Sequence, residues 1–131
     1  MQPSSDRADT PLRWLQNARA DLSLASIPLP RGVTYEQLCF HAQQAVEKAL
    51  KAILLKCGID FPFTHNLQAL LDLLPKELAR PSDLISAVDL NPYAVATRYP
   101  GEAEPVSEAE YQDALRTARS TLAWAESVIR P

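Results

Sequence analysis

Few side chains in this sequence could move a proton or hold a phosphate, and most of them lie close together. In CFHAQQAVEKALKAILLK, residues 39–56, His41, Gln44, Lys48 and Lys51 recur at helical spacing through a mostly apolar background. Imidazole is the side chain best matched to proton transfer near neutral pH, while ammonium and amide groups donate hydrogen bonds to phosphate oxygens. The only other histidine is His65, in FPFTHN. Further along, Arg98 in RYPG sits at the expected end of a helix, just before a rigid turn. Its planar fork suits phosphate or carboxylate, and equally suits the negative end of a helix dipole. Tyr93 and Tyr99, close by, are rings on which a base could stack.

Other chemistries lack their residues. No His-x3-His and no paired-cysteine spacing supports a metal. With three glycines there is no Gly-rich phosphate loop and no dinucleotide fingerprint, and no GxSxG elbow occurs. We therefore expect neither metal nor cofactor. Cys39 and Cys57 would be about 27 Å apart on one helix, too far to bond, and read as buried small apolar side chains in a reducing compartment. The formal net charge of −3 gives no global positive field for non-specific nucleic-acid binding, so any RNA contact must be local. Glu102, Glu104, Glu108 and Glu110 read as a solvated loop and a helix start. No apolar run follows a basic start and none is long enough for a membrane span, so we expect a cytoplasmic protein with no membrane partner.

The elements that must position these groups are all helical. Thr10 with Pro11 opens a first helix through Trp14, Leu15, Ala18, Leu22 and Ala25. Thr34 and Gln37 form a capping box for a second helix, which spans residues 34–57 and stops at Gly58. Its Leu38, Ala42, Ala45, Val46, Ala49 and Ile53 share one apolar face. The polar stripe of His41, Gln44, Lys48 and Lys51 falls opposite, together with Phe40, Leu54 and Leu55. That mixture suits a cleft or a subunit partner, or an ordinary surface with stray apolar neighbours.

Thr64 or Asn66 caps a short helix carrying Leu67, Leu70, Leu71 and Leu74. Between Lys76 and Tyr99 the prolines interrupt the pattern, with Ser82 expected to cap one piece and Asn91-Pro92 to begin another. Ser107 with Glu110 opens a last helix through Tyr111, Leu115, Ala118, Leu122, Ala125 and Ile129. With 47% hydrophobic residues over 131 positions, this is one all-α domain: an antiparallel up-and-down bundle of four to five helices, with residues 1–9 as a flexible N-terminal tail.

The blocks FHAQQAVEKALKAILLKCGIDFPFTHNLQALLDLL and YAVATRYPG together resemble the HEPN domain family, over most of residues 10–128. The resemblance implies a helical bundle, usually a homodimer, often encoded beside a minimal nucleotidyltransferase and named for a proposed nucleotide-binding role. Toxin members are metal-independent RNases in which a histidine follows the catalytic arginine closely. Here Arg98 matches the arginine-bearing position, but no histidine follows it.

The expectation is thus a non-catalytic accessory subunit of a nucleotidyltransferase-type, toxin-antitoxin-like system. It would hold a nucleotide or phosphate near Arg98, His41, Gln44 and Lys48, with Tyr93 or Tyr99 available for stacking. An RNase toxin with an altered Arg/His site and a pure interaction module are the alternatives.

Overall fold

The computed structural model describes residues 10–94 and 104–130. Among these every regular element is a helix, with turns and loops between them and no strand. Helix α1 (Pro11–Ala25) begins as its residues dictate: Thr10 is extended, its side chain accepts from the Arg13 N–H, and Pro11 occupies the first turn, where its missing N–H costs nothing. Helix α2 (Tyr35–Lys56) opens on the Thr34–Gln37 pair, where the Gln37 side chain accepts from the Thr34 N–H at 3.0 Å.

At the far end of α2, Gly58 at φ +74 lets the chain turn back. Its N–H donates to the Leu55 carbonyl and that of Ile59 to the Leu54 carbonyl, a Schellman closure that satisfies two orphan acceptors. Asn66 caps α3 (Leu67–Leu73) through the Gln68 N–H. The Ser107–Glu110 box starts α4 (Glu108–Ile129).

Helix α2 is the hub and touches α1, α3, α4 and the intervening 3-10 segment (Leu84–Ala94). Leu50, Ile53 and Leu54 are fully buried along it. Each such side chain stabilises the fold by about 1.5–3 kcal/mol through removal from water. Tyr35 at the start of α2 stacks on Tyr111 of α4 with ring centroids 5.1 Å apart. The Tyr111 hydroxyl donates to the Ala25 carbonyl at the end of α1, so one side chain ties three helices together. No described helix is long and apolar enough to cross a membrane.

Several sequence expectations are corrected. Leu54 is buried against the core rather than turned outward, because α2 is surrounded on most of its circumference. Lys51 is buried too, at 5% exposure, so it does not belong to an outward polar stripe. Asn91-Pro92 begins no new helix: a single 3-10 segment runs through Pro92, and the Asn91 side chain instead accepts from the Leu67 N–H at the start of α3. That segment opens with the Leu84 N–H donating to the Pro81 carbonyl. Cys39 is buried, but Cys57 caps the C-terminal end of α2 and is exposed.

Candidate functional site

Two carboxylates organise the polar groups of α2. Asp21 projects from α1, where it follows Ala18 on the buried face and is itself 8% exposed. One of its oxygens lies 3.0 Å from His41 Nδ1, and the other accepts from Lys48 Nζ at 2.6 Å. His41 and Lys48 are two helical turns apart, so both side chains reach the same carboxylate from one face of α2. His41 also packs edge-on against Phe40, ring centroids 5.3 Å apart. Its Nε2 makes no hydrogen bond among the described residues, and Lys48 uses one of its three N–H donors on Asp21.

The second carboxylate is Glu47, 3% exposed. Lys51 Nζ donates to one oxygen at 2.9 Å, while His65 Nδ1 at 2.9 Å and Gln43 Nε2 at 3.2 Å share the other. Gln43 is fully buried and also reaches the His65 carbonyl, tying the loop after α2 to the helix. Burying a charged pair is favourable only when the remaining lone pairs and protons are satisfied, and here Glu47 has three partners. The ammonium of Lys51 is further enclosed by the rings of Trp14 and Phe61, each centroid 5.4 Å away, and of Phe63 at 6.0 Å. Phe63 is 96% exposed, and its ring lies 6.1 Å from that of His65.

The residues singled out from the sequence are therefore divided. His41 and Lys48 come together on Asp21. Gln44 turns toward the other network and donates to Gln43 Oε1 at 2.8 Å. Tyr93, at the end of the 3-10 segment, borders a depression of about 240 Å³ with Asp89, Glu110 and Asp113, and it is near enough to the Cys39 thiol to act on its ionisation. Cys39 lies on the face of α2 away from His41, so Tyr93 is not beside the Asp21 cluster. Burial, then the charges of Glu110 and Glu36, push the Cys39 thiol up to about 11, which makes it an inert core side chain. Arg98 and Tyr99 lie outside the described residues.

Sequence reading passed over Asp21, Gln43 and Glu47. Signals for them existed. Asp21 occupies a position on the apolar face of α1, and Gln43–Glu47–Lys51 repeats at four-residue spacing, the separation at which helical side chains meet.

A small all-helical domain with a polar, carboxylate-centred middle helix is what this fold and site define. The chain belongs to the HEPN domain family, whose model matches residues 12–128. Among solved structures it is similar to TT1696 from Thermus thermophilus, with 35% identity, a TM-score of 0.78, and coverage of 92% of this chain and 98% of that one. It is also similar to ST0689, an archaeal HEPN homologue, with 28% identity, a TM-score of 0.70, and coverage of 99% of this chain and 100% of that one. No curated protein matches the chain.

Proposed function

We infer that this HEPN protein is a non-catalytic subunit that binds a phosphate-bearing ligand, such as a nucleotide, and partners a minimal nucleotidyltransferase, working as a cytoplasmic homodimer. The observation that carries the reading is the pairing of His41 and Lys48 on Asp21. A single buried carboxylate holds an imidazole and an ammonium side by side at the α1–α2 surface, with two Lys48 N–H donors left over for an anion. Fixed donors lose little freedom when an anion arrives, which favours binding. Arg98 would add a bidentate donor from the segment that precedes α4. The absence of any histidine after Arg98 supports a binding role over cleavage.

The test is calorimetry with nucleoside triphosphates on the intact chain. Binding that weakens with salt, and by about 1–3 kcal/mol on Arg98→Ala, is expected. Absence of binding at low salt would refute the nucleotide site and leave the interaction-module reading. Co-purification with the nucleotidyltransferase expected next door in the genome tests the partnership separately.

One observation favours a second reading, the RNase. Both histidines are held through Nδ1 by buried carboxylates, the arrangement that fixes an imidazole for proton transfer. Robust RNA cleavage in chelator, lost on His41→Ala or His65→Ala, would put that reading first.

A further inference from the structure

One end of the bundle carries a groove that the Asp21 site does not use. The start of α1 and the ends of α2 and α4 meet there around a space of about 590 Å³, within the roughly 300–1,000 Å³ of small-ligand sites. Pro11, Leu12 and Ile129 supply apolar lining, and Leu12 is 45% exposed. Arg13, Lys56 and Arg130 line the same space, and none of the three side chains has an acidic partner among the described residues.

For Lys56 and Arg130 a local explanation is at hand, since each sits at a helix C-terminus, where the dipole favours a cation. Arg13 has no such excuse. It is the third residue of α1, at the positive end of that helix, in a first turn that contains no acid. There the dipole opposes its charge. A cation in a locally unfavourable position, with no acidic partner among the described residues and facing two more across an apolar groove, is the kind of conflict that function imposes.

We propose that this groove binds a small amphipathic anion, a carboxylate or phosphate head on an apolar body. The head is held by Arg13, Lys56 and Arg130, and the body covers Leu12 and Ile129. The inference stands independently of the Asp21 site.

The experiment is a heteronuclear NMR titration of the full chain at low salt with octanoate, octyl phosphate and, as the uncharged control, octanol. Octanoate or octyl phosphate should shift the amides of Leu12, Gln16 and Ile129, and the comparison between them identifies the preferred head. Octanol should bind about tenfold more weakly, and Arg13→Gln or Lys56→Gln should each weaken anion binding by roughly fivefold at unchanged melting temperature. Equal affinity for octanol would overturn the proposal, as would shifts centred on Phe63 or Ile85. So would no binding of either anion, or binding only after residues 1–9 are removed, which would mean that the chain's own tail fills the groove.

Discussion

Replacing Glu47 by glutamine removes one charge from the most enclosed polar network of the molecule while keeping its shape. The ammonium of Lys51, 5% exposed and ringed by Trp14, Phe61 and Phe63, would then face an amide oxygen instead of a carboxylate. His65 has a half-exposed side chain and can find water, but Lys51 cannot without opening the aromatic lid. Breaking a buried pair by removing one partner costs about 3–5 kcal/mol, a large part of the roughly 5–15 kcal/mol that holds a typical domain together. An unfolding entropy of about 2.1 cal/mol/K per residue amounts to roughly 0.3 kcal/mol/K over this chain, so the melting temperature should fall by about 11–18 °C.

The companion double variant, Glu47→Leu with Lys51→Met, removes both charges and fills the space with apolar atoms. It should be less destabilised than the sum of its two single variants, because the desolvation of two ions disappears together with their attraction, while Gln43 and His65 still lose an acceptor. Urea unfolding followed by circular dichroism on the parent, Glu47→Leu, Lys51→Met and the double variant closes a thermodynamic cycle, with Glu47→Gln measured beside it. A loss below about 1 kcal/mol for Glu47→Gln, or additive losses in the double variant, would show that the network is not a coupled buried unit, and the reasoning would fail.

Asp21→Asn should cost less, about 1–2 kcal/mol, because His41 and Lys48 keep partial access to water; calorimetric unfolding measures it. Gly58→Ala should destabilise by about 1 kcal/mol in the same assay, wholly from its positive φ, since an added Cβ would meet no atom within 4 Å. A thiol reagent at pH 8 should label Cys57 at once and Cys39 only on unfolding; prompt reaction of both would contradict the burial of Cys39. The Cys39 pKa is raised on folding from 9.0 to about 11, so its neutral form is favoured in the native state. The resulting stability, about 2–3 kcal/mol, is complete below pH 9 and lost as the pH rises toward 11, a loss that Cys39→Ala should remove from the pH dependence of unfolding. Light scattering at high micromolar concentration should give twice the 14.5 kDa of the chain if the homodimer forms.

The sequence alone determined the four α-helices and most of the core, though not the 3-10 segment that runs through Pro92. Thr10 with Pro11, the two capping boxes and Gly58 act through hydrogen bonds and dihedral preferences within a few residues, so their effect is local and readable. The apolar face of α2 was legible for the same reason, since periodicity belongs to the helix itself. Which polar residues would be buried was decided only by tertiary packing. Asp21 and His41 are twenty residues apart and meet because α1 lies along α2. Lys51 shares the spacing of a polar stripe, yet α1 and the loop after α2 close aromatic rings over it. Asn91 carries a helix-start signal of its own but caps a helix that begins twenty-four residues earlier. A polar side chain's partner is set by where distant segments come to rest, because the cost of burying an unpaired charge or donor is settled by the whole fold rather than by its neighbours in the chain.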